Sequence, residues 1–367
     1  MRTLTKDNLM DILYGCAILG TGGGGLIQGG IDRINEALAN GKRFRLASFD
    51  EMPDDAIIGT PYACGAISPL TEEEEKKYGA LPIPDKSPDI LCMEQLEKYL
   101  GREVSAVIST ELGGFNTAIA FYCGAMADRI IMDGDPAGRS VPALQHSTYY
   151  LKGVPMCPMS VMNDFGEGAV FTNVCSDERG EDLVRALAVV SRNSISVMDH
   201  VNTVGVIKNA IIPGAISYAE KIGQAFLRAK DSGGNFVNAV VTEGKGRHMF
   251  NGVVKKNSYD TVGGYTVGDL LVTGDGAWAG HELHIWYQNE NIVSWLDGTP
   301  YVTVPELICA FDMDHAMPQM NPYAREGEKL SVIALPADPV WCTQRGLEVF
   351  GPRSFGFDFD YKPFCED

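Results

Sequence analysis

The sequence has no apolar run approaching the roughly 18 residues that a bilayer crossing needs. Its opening stretch, MRTLTKDNLMD, carries charges where a secretory signal would need an apolar centre. A membrane partner is therefore not expected, and a cytoplasmic location is. A basic run is missing too. Thirty Lys and Arg face 48 Asp and Glu, for a formal net charge of −18, and such a surface repels phosphate backbones, which argues against nucleic acid as a partner. Histidine is scarce at six residues, and the nine cysteines are scattered without a CxxC pair. No cysteine-built zinc site is spelled out, and free, buried thiols are the expectation. There is no internal repeat. A P-loop is lacking as well: GTGGGG at 20–25 follows a helical pattern instead of a strand and has no Lys-Ser/Thr after it. It reads as close backbone packing, or as a nest of N–H groups for a small ligand, with Gly23 and Gly24 at its centre.

What is present is an ordinary globular composition, 45% hydrophobic and 21% charged. A chain of 367 residues is long for a single core, so two domains are expected. Helical spacing of apolar residues predicts helices over 8–19, 26–40, 92–100, 117–128, 177–191 and 208–230. Strands are predicted over 56–63, 104–109 and 129–132, with a short apolar stretch at 195–198. Strand, helix and strand in succession indicate a mixed or parallel sheet covered by helices. From about Phe236 onward, short β-like runs alternate with turn signals: Asn251-Gly252, Gly263-Gly264, Gly274-Asp275-Gly276, Asp297-Gly298 and Gly327. The expected fold is thus an α/β N-terminal domain over 1–167. A helical join and a β-rich, barrel- or sandwich-like C-terminal domain follow over 168–367.

Two segments carry candidate chemistry. IIMDGDPAGRSVPALQH, 130–146, places Asp133 and Asp135 just beyond a buried strand, and Arg139 adds a planar cation suited to a carboxylate. Pro142 is placed to start a helix over 143–151 that would bring Gln145 and His146 to the same rim. The plainer reading is an Asp-Gly and Asp-Pro turn with Arg139 paired to one carboxylate. ISTELGGFNT, 108–117, repeats the arrangement: a strand, then Glu111, Gly113-Gly114, and Asn116 near a helix start, where it also suits an N-cap. If these strands are neighbours, Glu111, Asp133 and Asp135 meet in one crevice, and their repulsion requires a cation, a shared proton or a basic ligand. The polar YQNEN at 287–291 reads as a strand end or, alternatively, as a second pocket wall from Gln288, Asn289 or Glu290.

These motifs together resemble the S-methyl-thiohydantoin desulfurase domain family. The marks are GTGGGG, TELGGFNT at 110–117, MDGDPAGRSVPALQ at 132–145, IWYQNENIVSWLDG at 285–298, VPELI at 304–308 and FGPRSFGFDFDYKP at 350–363. The resemblance implies a two-domain protein that hydrolyses an S-methylated thiohydantoin to the hydantoin and methanethiol. Glu111, Gly113, Asn116, Asp133, Asp135, Gly138, Arg139, Pro142 and Gln145 match the family's motifs. The chain departs from that pattern at 68–84, SPLTEEEEKKYGALPIP, and at His146, where the family implies an apolar residue.

The resulting expectation is a hydrolase of a small cyclic substrate. Glu111, Asp133 and Asp135 would act as acid, base or ring-holding carboxylates, with Asn116, Arg139, Gln145, His146, Gly113, Gly23 and Gly24 around the ligand. A divalent metal such as zinc, held by Asp133, Asp135 and His146, is an alternative source of hydroxide. A ring-opening cyclic amidohydrolase and a non-catalytic small-molecule binding subunit are the rival readings. A homo-oligomer is compatible with the sequence.

Overall fold

A computed structural model describes residues 1–65 and 70–364. Cys365 and the first two residues of the 68–84 segment lie outside the described residues. The first sheet has eight strands, in the order Arg2–Thr3, Arg45–Ala47, Ile130–Met132, Ala106–Val107, Ile57–Gly65, Ser194–Thr203, Met159–Met162 and Gly168–Phe171. The Arg45, Ile130, Ala106 and Ile57 strands pair in parallel, and the remainder are antiparallel, so the sheet is mixed. Parallel neighbours need crossovers, and helices Pro88–Leu100 and Asn116–Met126 supply two of them. The short stretch at 195–198 falls in the first half of a ten-residue strand, Ser194–Thr203, lying beyond residue 167 and still part of the first sheet.

The second sheet, also eight strands, is antiparallel throughout, in the order Thr299–Thr303, Glu290–Leu296, Glu282–Gln288, Tyr265–Gly274, Arg247–Val262, Lys329–Leu335, Leu307–Asp312 and Met317–Pro318. Buried and part-buried residues alternate along Tyr265–Gly274 and Glu282–Gln288, which is the pattern of a sheet with one face on a core. The sheet curls back on itself: Asn291 Nδ2 donates to Ile308 O at 3.0 Å, joining strands far apart in the sheet order. Gly263-Gly264, Gly274-Asp275-Gly276, Asp297-Gly298 and Gly327 are turns as expected. Asn251-Gly252 is not: it lies inside the long strand Arg247–Val262, where Gly252 packs against the Thr273 backbone.

Helices Lys6–Leu19 and Ala215–Asp231 pack on each other, and their buried residues join Leu307, Phe311, Ile333 and Leu335 of the second sheet in the largest core. The expected helix over 208–230 begins at Ala215, because Ile212–Pro213 forms a short strand with Gly134–Asp135 first. The helix expected over 143–151 is only Thr148–Lys152. Ser147, accepting from the Tyr150 amide, is its N-cap, and Pro142 stands in the loop before it. No described helix is long and apolar enough to cross a membrane. The eight described cysteines are free, five of them buried.

Candidate functional site

The loop after Ala106–Val107 turns sharply because Glu111 adopts a left-handed backbone, φ 58°. For a residue with a Cβ this conformation is strained, and such strain concentrates at functional positions. The turn leads to Gly113-Gly114, which lies flat against the glycine-rich loop. Gly24, itself at φ 73°, comes so close that a Cβ there would stand 2.5 Å from the Gly113 Cα. The Gly24 carbonyl accepts from the Phe115 and Asn116 amides at 3.0 and 3.2 Å, so it serves the first turn of helix Asn116–Met126. Asn116 is therefore not the cap. Its side chain bridges instead, accepting from the Ala63 amide at 3.3 Å and donating to Glu111 Oε2 at 3.2 Å.

The second domain completes the same place. Strands Glu282–Gln288 and Glu290–Leu296 are joined by Asn289 alone, also left-handed at φ 59°. Asn289 is pinned to the next strand, its amide donating to Thr266 O at 2.8 Å and its Oδ1 accepting from the Thr266 amide at 2.9 Å. This tight turn delivers Glu290, fully buried, beside Gly23, where a Cβ would sit 1.7 Å from Glu290 Oε1. A Cβ at 23 would push the Glu290 carboxyl aside. Ser140 Oγ donates to Glu290 Oε1 at 2.8 Å, and Glu290 Oε2 has no hydrogen-bond partner.

Between these elements lies a cavity of about 370 Å³. Glu111, Asn116, Asn289 and Glu290 line it, together with Gly24 and Gly25, an apolar wall that includes Leu26, Phe115, Val141 and Leu144, and the side chains of Tyr62 and Cys64. Glu181 and Arg185, one turn apart on helix Asp177–Val189, close one side. They are largely engaged: Arg185 donates to Glu181 at 2.5 Å and to Gly264 O and Pro142 O at 2.8 and 3.2 Å, its guanidinium lies 4.0 Å from the Tyr265 ring centre, and Glu181 accepts from the Leu144 amide at 3.1 Å. The less engaged carboxyls are Glu111 and Glu290. Burial lifts Glu290 to about 7, against the Ser140 hydroxyl and the Arg139 cation. Burial, then the nearby Glu290 and Glu181, hold Glu111 well above the ordinary carboxylate range. Two acidic groups with raised proton affinities in one largely apolar cavity can divide the roles of acid and base.

The convergence expected of Glu111 with Asp133 and Asp135 does not occur in this cavity. The Ile130–Met132 and Ala106–Val107 strands are neighbours as expected, yet Asp133 turns to the helix at 215. It accepts from the Ser217 amide at 3.0 Å and the Ser217 hydroxyl at 2.5 Å, capping that helix. Asp135 is fully buried, and its Oδ1 accepts from the Ala137 and Gly138 amides, both at 2.8 Å, in a turn. Burial raises it to about 7, against those two amides. Arg139, also buried, faces the second domain: it donates to Pro305 O at 3.0 Å, Glu306 O at 2.9 Å and Thr21 Oγ1 at 2.8 Å. His146 is buried against Phe350 and Phe355, with Nδ1 unpartnered, and burial depresses it to about 3. Gln145 has a buried, unpartnered Oε1 outside the cavity. The set Asp133, Asp135 and His146 does not fit a metal: the two aspartates are bound to Ser217 and to a turn, and no group of three or more metal-ligating side chains stands together among the described residues. Gly24, Glu111 and Asn116 thus line the cavity, whereas Gly23 and Gly113 shape it from behind. Tyr62, Cys64, Glu181 and Arg185 carried no readable signal, since Glu181 and Arg185 look like an exposed helical pair.

Residues 7–173 match the family model of the S-Me-THD-like N-terminal domain, and residues 175–364 that of the S-Me-THD-like C-terminal domain. The chain belongs to the S-Me-THD-like family. Its fold is shared by the crystal structure of a protein from Chromobacterium violaceum solved in a structural genomics programme, with a TM-score of 0.74 at 20% identity over 99% of this chain and 100% of that one. No curated protein shows a significant match. The glycine loop, TELGGFNT and YQNEN motifs of this family member all reach the cavity, as do Val141, Pro142 and Leu144 of the 132–145 motif.

Proposed function

We propose that this chain hydrolyses a small cyclic thiohydantoin, converting an S-methylated ring to the hydantoin with release of methanethiol. The observation that carries this reading is the pair Glu111 and Glu290, brought from separate domains to one cavity with both proton affinities raised. C2 of an S-methyl-thiohydantoin is bonded to two ring nitrogens and the sulfur, and is electrophilic once its imine nitrogen is protonated. Glu111, whose hold on its proton burial strengthens, gives that proton to the ring nitrogen. Glu290, ionised above about 7, takes a proton from the attacking water. The C–O bond forms. The tetrahedral carbon then collapses: the C–S bond breaks with its electron pair on sulfur, Glu290 returns its proton to the thiolate, and Glu111 recovers one from the hydroxyl. One water is consumed, one methanethiol leaves, and both glutamates end as they began. Asn116 and Asn289 are suited to orient the ring, and the apolar wall to seat the methylthio group.

The test is to incubate the purified protein with S-methyl-thiohydantoin or with unmodified hydantoin, following thiol release and ring opening separately. Methanethiol from the first and no ring opening of the second is the expected result. Ring opening without thiol would replace this reading by a cyclic amidohydrolase, and tight binding of either ring without turnover by a binding subunit. Turnover is expected to persist after exhaustive chelation, because the acid and base assigned here are side chains; loss of turnover restored by zinc would transfer the base to a metal-bound hydroxide.

A further inference from the structure

Behind the main cavity lies a second, separate one of about 10 Å³, roughly the space that one buried water occupies. Tyr62, Glu111, Val141 and Leu144 line both and form the wall between them. The far side of the small cavity is polar: Thr110, Ser147, Asp199 and His200. A dry void of that size lined by apolar groups would be unremarkable, but one bounded by a carboxyl, two hydroxyls and a carboxylate–imidazole pair offers a water its two to four partners. The pair is itself built with care. His200 sits at φ 46°, is stacked on Tyr149 at 4.5 Å, and its Nδ1 lies 2.9 Å from Asp199 Oδ1. Asp199 Oδ2 accepts from the Tyr62 hydroxyl at 2.8 Å. His200 Nε2 has only Asp177, 3.8 Å away.

We infer that this small cavity holds one ordered water that joins the back of Glu111 to the Asp199–His200 pair, making Asp199 and His200 positioning residues for Glu111. The inference rests on the acid role proposed for Glu111. A water donating to Asp199 and to Glu111 from behind leaves the acidic O–H facing the main cavity, where a substrate ring would lie. The titratable and charged groups around this network are Asp177, Tyr149 and Cys157 beside the His200–Asp199 pair, Tyr62 on Asp199, and Glu181, Arg185, Cys64 and Glu290 beside Glu111.

A crystal structure of the wild-type protein should show one water within hydrogen-bond distance of Glu111 and Asp199. Ala143 lines the same cavity, and Ala143→Val fills it without touching a charge. In that variant kcat should fall about tenfold or more with KM little changed. The high-pH limb of the activity profile should move up, because Glu111 loses a donor that stabilised its ionised form, while the low-pH limb, set by Glu290, should stay. Asp199→Asn is the second probe and should lower kcat while the water persists more weakly. No density at the site, or an Ala143→Val profile superimposable on the wild type, overturns the inference. If the wild type releases no methanethiol at all, the proposed reaction fails instead, and the density still decides the water.

Discussion

Glu290 concentrates what a single residue contributes to this protein. It is fully buried, accepts one hydroxyl, and leaves one oxygen without a partner. Its rise from 4.5 to about 7 has a sign for stability. A carboxyl whose folded affinity exceeds its unfolded one stabilises the fold fully below the unfolded value and loses that contribution as pH rises through the folded one. Between about pH 4.5 and pH 8 the wild type should therefore lose on the order of 3 kcal/mol from this group alone. Glu290→Gln keeps an acceptor for Ser140 and removes the charge. It is expected to unfold at higher denaturant than the wild type near pH 8.5, with the difference closing towards pH 4.5, and to lose 10²–10⁴-fold in kcat. A Glu290→Gln variant that stayed fully active would remove Glu290 as the base. The wild-type activity profile should rise with a midpoint near 7. Much of this residue was hidden in the sequence: YQNEN shows polar side chains after a strand, but not that Asn289 alone makes the turn. That left-handed turn is what carries Glu290 across to Gly23.

Elements explain why Glu111 and Asp133, read from neighbouring strand ends, do not meet. Strand adjacency was legible, since consecutive strands of an α/β sheet tend to pair, and Ala106–Val107 does lie beside Ile130–Met132. Side-chain direction was not. Asp133 follows its strand immediately and is captured by the helix arriving at Ala215, whereas Glu111 stands four residues past Val107, beyond a left-handed turn. The N-terminal helices were readable from apolar spacing, but the strand Gly168–Phe171 was not, because its burial pattern is exposed to half-buried and carries no alternation. The helix cap makes a clean test of the corrected role. Asp133→Ala removes two hydrogen bonds at the start of a 17-residue helix and is expected to cost about 1 kcal/mol, up to about 2, in chemical denaturation. Its kcat should equal the wild type's. A fall in kcat at unchanged stability would return Asp133 to the chemistry. Gly23→Ala should do the reverse, sparing most of the fold's stability while displacing Glu290, with kcat falling as far as in Glu290→Gln.

At the scale of the molecule the cavity is built from both domains, and Arg139 is one polar tie between them. Its guanidinium, from the first domain, reaches the carbonyls of Pro305 and Glu306 in the second and the Thr21 hydroxyl of the glycine loop. The Thr21 carbonyl in turn accepts from the Asn291 amide, one residue from Glu290. A buried arginine without a direct carboxylate partner has cause to be neutralised, and burial does lower it to about 10, yet Glu290 and Glu306 nearby keep it charged. The sequence offered Arg139 as a substrate clamp because a planar cation beside a loop suits that task equally well; only the second-domain carbonyls at 305 and 306, far along the chain, identify it as a bolt. Arg139→Lys keeps the charge but cannot reach three acceptors in a fixed plane. At least two buried acceptors should go unsatisfied, costing on the order of 3 kcal/mol or more. Because the tie runs through Thr21 to the strand that carries Glu290, the denaturation midpoint and kcat should fall together, with KM rising less than kcat falls. An Arg139→Lys protein of wild-type stability whose KM alone increases would mean that this guanidinium holds substrate after all.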